Sequence, residues 1–447
     1  MFRRVLIANR GEIAVRVIRA CKQMGITTIA VHSTADEHCL HVRLADESIC
    51  IGPPEPGESY LKIPNIISAA DIADAQAIHP GYGFLSENPK FAAICRECHI
   101  AFIGPNSEAI SLSGDKALCR DTVKAAGVPV VPGSEGLVKD PDEALRLANE
   151  IGYPVLIKAA AGGGGKGMRV AHNDASFKHA LSVASSEAKA AFGDGGVYLE
   201  KFLENARHVE VQILADEHGT LLSLGERECT IQRRHQKLIE ETPSTGLTPK
   251  LRAKMSAAAI SAAKAMGYTN AGTAEFLLAQ DGSFYFIEFN ARIQVEHPVT
   301  EEVTGVDLVR EQLRIAAGLP LEYKEVKPQG AAIEARVYAE DPEHNFRPSP
   351  GRIRHCHIPG GPGIRVDTHI YSGYEVPRYY DSLLAKVIAR GKDRTEAIER
   401  LACALDEFET EGIKTTAKLC ARIVRGERFR RGELAPDLLD EYLGPQA

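Results

Sequence analysis

Short apolar segments alternate with amphipathic ones over the first 110 residues of the chain. The apolar segments predict strands at 3–9, 27–32, 47–52, 75–80 and 100–104. The segments between them, such as 65–75, carry apolar residues at helical spacing and predict helices. Strands that alternate with helices are typical of βαβ units, so this region is expected to form a mostly parallel sheet.

Beyond this region the pattern changes. A helical segment from Gly114 to Ala126 leads into a compact stretch, 130–203, in which strands flank a glycine run. From His208 onward, alternating apolar and polar residues predict antiparallel hairpins. The segment 331–440 begins with a further strand and closes with helices. These changes predict an α/β chain of several domains.

The segment 271–297 predicts a β-hairpin around a two-residue Asp281-Gly282 turn. With that turn, Glu275 lies directly opposite Glu288, and Asn290 projects from the same face. Two facing carboxylates destabilise a sheet unless a cation lies between them. Because Mg²⁺ prefers carboxylate oxygens together with substrate phosphates, the pair predicts a metal site.

The glycine run, Gly162 to Gly165, precedes Lys166 and lies between two predicted strands. Successive glycines let backbone amides approach a phosphate closely. The run is neither a Walker A motif nor a dinucleotide fingerprint, because no helix follows it. It is expected to form a lid over a nucleotide, with a simple flexible linker as the alternative.

Several residues near this lid are candidates for nucleotide contacts. Lys158 precedes the glycine run and Lys116 opens the helical connector, so either lysine could face phosphates or lie on the surface. The strand that ends at Tyr198–Leu203 offers edge backbone groups for an adenine. The stretch Cys229–Lys237 is the most basic in the chain and predicts a local anion site, with Lys237 and Arg292 on the small anion.

Two charged residues beyond the hairpin are candidates for chemistry. Glu296 lies beside cations that would keep it ionised near neutral pH, so it is a candidate general base. The alternative is that Glu296 only caps the helix that follows it. Arg336 lies within a predicted strand, with Glu334 and Tyr338 on the same face, and a structural ion pair is its simplest role.

Composition narrows the function classes. The 447 residues carry a formal net charge of −7, which argues against a protein whose main role is to bind nucleic acid. We find no apolar run of the roughly 18 residues that a membrane helix needs, and no signal peptide. The ten cysteines are scattered, which favours free thiols and a cytoplasmic location.

Five motifs, in this order along the chain, resemble those of biotin carboxylases. They are Asn9–Ala14, His79–Asn88, the glycine run 162–167, Gln232–Lys237 and Arg292–Pro298. The resemblance extends from about residue 3 to about residue 440.

The resemblance implies an α/β chain with an ATP-grasp fold and three parts. These are an N-terminal doubly wound parallel-sheet domain at 1–113, an ATP-grasp region at 114–318 whose residues 130–203 form the glycine-loop lid, and an α+β C-terminal domain at 331–440.

The implied reaction uses ATP, bicarbonate and carrier-bound biotin. Bicarbonate attacks the γ-phosphate, the resulting carboxyphosphate breaks down to CO₂ and phosphate, and biotin N1 is then carboxylated. Two divalent ions, Mg²⁺ or Mn²⁺, neutralise charge on the ATP phosphates, and their implied ligands are Glu275, Glu288 and Asn290.

The resemblance also assigns the other site residues. The implied phosphate contacts are Lys116, Lys158, Gly164 and Gly165, and those around the base and ribose are Glu200, Lys201, Leu203, His208, Gln232 and His235. The implied bicarbonate contacts are Lys237, Arg292, Gln294 and Val295, with Glu296 as the base. Arg336 resembles the arginine that stabilises the biotin enolate, with Tyr82 nearby.

Two positions depart from the family pattern. Ala161 stands where another glycine is frequent, and Ala291 stands where threonine is frequent. Both alanines are small and neither removes an implied ligand, so altered lid mobility is the largest effect expected.

The chain ends without a biotin-acceptor motif or a carboxyltransferase, so a separate biotin carboxyl carrier protein and a separate carboxyltransferase are expected, with pairing as a homodimer. Acetyl-CoA carboxylase in fatty acid synthesis is the expected system, and propionyl-CoA and pyruvate carboxylases are the alternatives. Two other functions compete with this interpretation. One is a different ATP-grasp ligase, such as carbamoyl phosphate synthetase, and the other is a non-catalytic nucleotide-binding subunit.

Overall fold

The computed structural model describes residues 1–159, 168–192 and 196–443. The glycine run, which includes the implied phosphate contacts Gly164 and Gly165, lies outside the described residues, as does Ala161.

The N-terminal region forms the predicted parallel sheet. Its strands are β1 (Arg4–Ile7), β2 (Thr27–Ser33), β3 (Glu47–Gly52), β4 (Ala77–His79) and β5 (Ala101–Phe102), in the order β3-β2-β1-β4-β5. Its helices are α1 (Gly11–Gln23), α2 (Leu40–Leu44), α3 (Ile63–Ile72), α4 (Pro89–Glu97) and α5 (Ser107–Gly114). Every neighbouring strand pair in this sheet is parallel, which confirms the prediction.

Helices cover both faces of this sheet. On β1, Val5 and Ile7 pack in the same core as α1, whereas Leu6 packs in a second core with α3 and α4. Successive strand residues project to opposite faces, so this alternation produces the doubly wound arrangement.

A connector helix and a small three-stranded sheet follow. They consist of α6 (Lys116–Ala125), α7 (Pro141–Ile151), β6 (Val155–Ala159), β7 (Met168–Ala171), α8 (Asp174–Phe192) and β8 (Val197–Lys201). The antiparallel strand order is β7-β6-β8, and α7 and α8 pack against this sheet around Phe177.

The rest of the chain is organised around one eight-stranded antiparallel sheet. The remaining strands are β9 (Arg207–Ala215), β10 (Leu221–Arg233), β11 (Gln236–Thr242), β12 (Asn270–Leu278), β13 (Phe284–Asn290), β14 (Ala331–Tyr338), β15 (Glu340–Asp341), β16 (Arg347–Pro348), β17 (Gly351–Arg352), β18 (His355–His357), β19 (Ile364–Thr368), β20 (Glu375–Val376), β21 (Leu383–Gly391) and β22 (Glu409–Glu411). The remaining helices are α9 (Pro249–Ala265), α10 (His297–Thr304), α11 (Leu308–Ala316), α12 (Arg394–Glu407), α13 (Ala417–Arg425) and α14 (Glu427–Arg430). The large sheet has the order β13-β12-β9-β10-β11-β14-β21-β19, so residues 331–391 share hydrogen bonds with the hairpins before them.

The structure corrects the predicted two-residue turn between β12 and β13. Ala279 donates its N–H to the carbonyl of Ser283 and accepts the N–H of Gly282, which has a φ of +82°. These bonds enclose a three-residue loop, which shifts the register near the turn by one residue. Phe276 therefore pairs with Phe286, and one extra residue, Ile287, then restores the predicted pairing of Glu275 with Glu288.

Two further properties bear on the sequence analysis. All ten cysteines are free thiols, and Cys50, Cys98 and Cys403 are exposed. Among the described helices, none combines the length and apolar character needed to cross a membrane.

Buried histidines predict how stability depends on pH. His79 is fully buried at the end of β4, its Nδ1 accepts the N–H of Gly81 (3.0 Å), and burial lowers its pKa to about 3. Below about pH 6.5, His79 binds a proton in the unfolded chain but not in the folded one. As the pH drops, the contribution of His79 therefore lowers the free energy of unfolding by about 1.4 kcal/mol for each pH unit. We expect His79→Asn, whose amide oxygen lies near the position of Nδ1, to lose less stability between pH 7 and pH 5 than the parent.

Urea unfolding at the two pH values measures this difference. His344→Asn is the control, because the His344 side chain is 74% exposed. Equal pH dependence in the parent and His79→Asn would contradict the prediction.

Candidate active site

A single cleft of about 2300 Å³ gathers the predicted site residues. Every such residue in the described part of the chain lines it: Tyr82, Lys116, Lys158, Glu200, Lys201, Leu203, His208, Gln232, His235, Lys237, Glu275, Glu288, Asn290, Arg292, Gln294, Val295, Glu296 and Arg336. These residues come from the N-terminal sheet, the connector helix, the small sheet and the large sheet, so the cleft lies where these parts meet.

The two hairpin glutamates lie in different surroundings. Glu275 is 6% exposed and accepts hydrogen bonds from the side-chain amides of Asn290 (2.8 Å) and Gln294 (2.7 Å). Burial alone would raise its pKa, but the charges of Lys237 and His208 hold it well below the ordinary value. Glu288 is more exposed and pairs with Lys116 at 3.3 Å. Protein cations thus reduce the repulsion predicted for this pair.

Glu296 lies between two cations. Its carboxylate accepts hydrogen bonds from Lys237 Nζ (2.6 Å) and Arg336 Nη2 (3.0 Å), and the residue is 2% exposed. Burial favours the neutral acid, yet Lys237, Arg336 and Arg227 hold the pKa of Glu296 well below its ordinary value. These cations favour the ionised state that the sequence analysis expects for Glu296.

The alternative role of Glu296 as a capping side chain is wrong. Glu296 occupies the N-cap position of α10, but its side chain makes no capping hydrogen bond. Both carboxylate oxygens are directed to Lys237 and Arg336 instead.

Arg292 is oriented by the N-terminal region. Glu87 accepts hydrogen bonds from Arg292 Nε (2.8 Å) and from the amide N–H of Ala291 (3.1 Å). The other side of the guanidinium donates to Asn290 Oδ1 (2.8 Å). Glu87 belongs to the motif His79–Asn88, and the structure gives it this positioning contact.

Arg336 makes the structural ion pair expected from its strand, and it also faces the cleft. It pairs with Glu240 on β11 and donates to the hydroxyl of Tyr338 (3.3 Å). Because it also reaches Glu296, the guanidinium lies beside the candidate base. Tyr82 lines the same cleft and donates its hydroxyl proton to Glu12.

The nucleotide candidates are divided between the small sheet, the large sheet and the connector helix. Lys158 pairs with Glu200, and Gln232 approaches His208 Nδ1 at 3.4 Å. The Lys201 ammonium donates to the carbonyls of Gly152 and Tyr153, and its amide N–H donates to Pro132. Both of these Lys201 donors already have protein partners and are not free to bind an adenine. This differs from the sequence analysis, which expected free backbone groups at this strand edge.

Sequence analysis missed the residue at the centre of the polar network. Arg227 is fully buried on β10 and donates to Glu210 (2.6 Å), Gln212 (2.6 Å) and Gln294 (2.7 Å). A signal for this side of the site was present in β9, where His208, Glu210 and Gln212 alternate with apolar residues.

The residues present fit divalent metal ions. Glu275, Glu288 and Asn290 supply carboxylate and amide oxygens to one face of the hairpin, and hard cations prefer such oxygens. The ammonium of Lys237 lies 3.4 Å from Glu275 and supplies part of the positive charge that offsets these carboxylates.

Family comparisons cover the whole length of the chain. The family model described as "Biotin carboxylase, N-terminal domain" matches residues 1–110, and "Biotin carboxylase C-terminal domain" matches residues 334–441. Between them, "Carbamoyl-phosphate synthase L chain, ATP binding domain" matches residues 115–324. The two flanking matches favour a biotin carboxylase over a carbamoyl phosphate synthetase.

Individual proteins match equally well. A biotin carboxylase from Nostoc sp. is 57% identical over 98% of this chain and 99% of its own length. A pyruvate carboxylase subunit from Methanothermobacter thermautotrophicus is 52% identical over 99% of this chain and 90% of its own.

A solved structure confirms the expected ATP-grasp fold class. The biotin carboxylase domain dimer of Hydrogenobacter thermophilus 2-oxoglutarate carboxylase, crystallised with MgADP, ADP and bicarbonate, is 48% identical. It superposes with a TM-score of 0.93 over 100% of both chains.

Proposed function

Because the chain belongs to the biotin carboxylase family of ATP-grasp ligases, we propose that its cleft carboxylates carrier-bound biotin with bicarbonate and ATP. The observation that carries this proposal is the position of the Glu296 carboxylate between Lys237 and Arg336. Such an arrangement provides a base and two cations side by side in one cleft.

The bicarbonate subsite is the first part of the proposal. Lys237 and Arg292 hold the anion, and Gln294 and Val295 shape its surroundings. Glu296 accepts the bicarbonate proton, and the resulting carbonate oxygen attacks the γ-phosphorus of ATP while ADP leaves. The carboxyphosphate formed breaks down to CO₂ and phosphate beside Arg336.

The nucleotide and metal subsites lie next to it. Lys116 and Lys158, with Gly164 and Gly165, contact phosphates, while Glu200, Lys201, Leu203, His208, Gln232 and His235 surround the base and ribose. For Lys201, whose ammonium and amide N–H already have protein partners, this contact is limited to its other groups. Glu275, Glu288 and Asn290 hold two Mg²⁺ or Mn²⁺ ions, which neutralise phosphate charge when bound.

The biotin subsite is formed by Arg336 and Tyr82. Arg336 is a fixed, buried cation. Its charge stabilises the oxyanion that develops on the ureido oxygen when the phosphate released from carboxyphosphate takes the N1 proton and N1 attacks CO₂. Its bond to Glu240 fixes the guanidinium before the substrate arrives.

The proposed setting follows the sequence analysis. Domains at 1–113, 114–318 and 331–440, with a lid at 130–203, work as a homodimer in the cytoplasm with a separate carrier protein and carboxyltransferase. The dimeric relative from Hydrogenobacter thermophilus supports the pairing.

Glu296→Gln tests the proposed reaction. The amide keeps the side-chain volume but cannot accept the proton, so we expect biotin carboxylation to fall about 10²–10⁴-fold. Bicarbonate-dependent ADP formation with and without free biotin measures the loss. The matched control is Glu325→Gln, a 72% exposed surface substitution. Full activity in Glu296→Gln, or ATP hydrolysis by the parent that biotin does not stimulate, would refute the proposal.

Glu288→Gln and Arg336→Met separate the two half-steps. Loss of a metal ligand should abolish all ATP turnover. Loss of Arg336 should mainly reduce carboxybiotin formation and leave more of the bicarbonate-dependent ATP cleavage. Parallel assays of ADP and carboxybiotin test this separation, and equal loss of both products in Arg336→Met would contradict it.

Acetyl-CoA is the proposed final acceptor, in fatty acid synthesis. The near end-to-end match to the Nostoc biotin carboxylase is compatible with this acceptor, and the matches to pyruvate and 2-oxoglutarate carboxylases identify the competing ones. Native partners co-purified with this chain should transfer labelled carboxyl groups to acetyl-CoA. Preferential transfer to propionyl-CoA, pyruvate or 2-oxoglutarate would instead assign that acceptor.

A further inference from the structure

Lys386 is a fully buried cation that the proposed reaction does not yet use. It lies on β21, opposite Arg336 on β14 and Asp367 on β19, and its side chain is 0% exposed. An ammonium group without water is stable only when charged or polar partners surround it.

Its partners come from different parts of the chain. Nζ lies 3.1 Å from Glu12 Oε1 on α1, 3.8 Å from Asp367 Oδ2, and donates to the backbone carbonyl of Val295 at 2.9 Å. One ammonium therefore connects the N-terminal region, the C-terminal strands and the segment beyond the hairpin.

The contact with Val295 bears directly on the bicarbonate subsite. Val295 lies between Gln294, which binds Glu275 and Arg227, and the base Glu296. Because a peptide unit is planar, a fixed Val295 carbonyl also fixes the direction of the Glu296 amide and restricts where its side chain begins.

The contact with Glu12 reaches the biotin subsite. Glu12 accepts a hydrogen bond from the hydroxyl of Tyr82, and the Glu12 side chain is only 1% exposed. The same carboxylate thus binds both the Lys386 ammonium and the tyrosine assigned to biotin.

We propose that Lys386 is a positioning residue that assembles the bicarbonate and biotin subsites together. It holds the segment 294–296 through the Val295 carbonyl and holds Tyr82 through Glu12. This inference rests on the proposed carboxylation of biotin.

Lys386→Met removes the charge and the donor while keeping an unbranched side chain. We expect KM for bicarbonate and KM for free biotin each to rise at least about tenfold, which corresponds to the loss of one charge-assisted hydrogen bond. KM for ATP should stay within about twofold, because the described nucleotide candidates do not contact Lys386. Lys392→Met, an exposed lysine just after β21, is the matched control and should leave all three values unchanged.

Glu12→Gln separates the effect of the Glu12 contact from that of the Val295 contact. It weakens the link to Tyr82 but leaves the Val295 bond, so KM for biotin should rise more than KM for bicarbonate. The double variant Lys386→Met/Glu12→Gln contains no unpaired Glu12 charge, so it should fold even where Lys386→Met does not. In the double variant, KM for bicarbonate should still rise at least about tenfold.

A similar rise in KM for all three substrates would indicate that Lys386 has a purely structural role. If KM for ATP rises in proportion, or if the folded double variant binds bicarbonate as the parent does, the inference is wrong. If the parent itself shows no biotin-stimulated ATP cleavage, the proposed function fails instead.

Discussion

The structure depends on burying several like charges side by side. Four carboxyl groups lie in the interior, three from Glu210, Glu240 and Glu275 on the large sheet and one from Glu296 at the start of α10. None of these residues is more than 6% exposed. A buried carboxylate is tolerated only when it is paired and hydrogen-bonded, because removal of one partner leaves an uncompensated charge. The partners are Arg227, Lys237 and Arg336, and each of these cations contacts at least one of the four carboxylates. His208 adds a further contact, because its Nε2 lies 2.8 Å from Glu275. Burial alone would lower the pKa of His208, but the charge of Glu275 raises it.

This near balance of charge bears on the proposed anion site in the cleft. If every cation were fully used by protein carboxylates, a phosphate or bicarbonate would only add repulsion. Lys237 already contacts Glu210, Glu275 and Glu296 from one position, so a bound anion would have to share its ammonium with these carboxylates. Positive charge from metal ions on Glu275 and Glu288 would release Lys237 further from Glu275. If metal ions bind there, their charge and that of the protein carboxylates would together set the charge that a substrate meets.

The sequence predicted those parts of the site that lie close together along one strand or one hairpin. Alternation placed Asn290 on the face of Glu275, and the facing glutamates were paired as expected even though the turn has three residues. That pairing was reached by cancellation, because the longer loop and the extra residue Ile287 shift the register in opposite senses. Single-sequence patterns do not locate such bulges, since Ile287 is as compatible with a regular strand as its neighbours.

The missed residues share a different cause. Glu240 and Lys386 acquire their roles from the order β11-β14-β21, in which residues between 45 and 96 positions apart become paired. Arg227 likewise contacts Gln294, which lies 67 positions further along the chain. Local periodicity gives the face on which a side chain lies but not the strand that will lie beside it.

A buried charge in an apolar strand nevertheless signals that a partner must exist, because its burial without one is too costly. Glu334, which lies opposite Glu240 in this register and is fully buried, is the contrasting case, because neither of its carboxyl oxygens has a hydrogen-bond partner among the described residues. Burial raises the pKa of Glu334 well above its ordinary value, which favours the neutral acid at neutral pH. Since Glu240 already pairs with Arg336, a neutral Glu334 lets two carboxyl groups face each other without removing that arginine from the cleft.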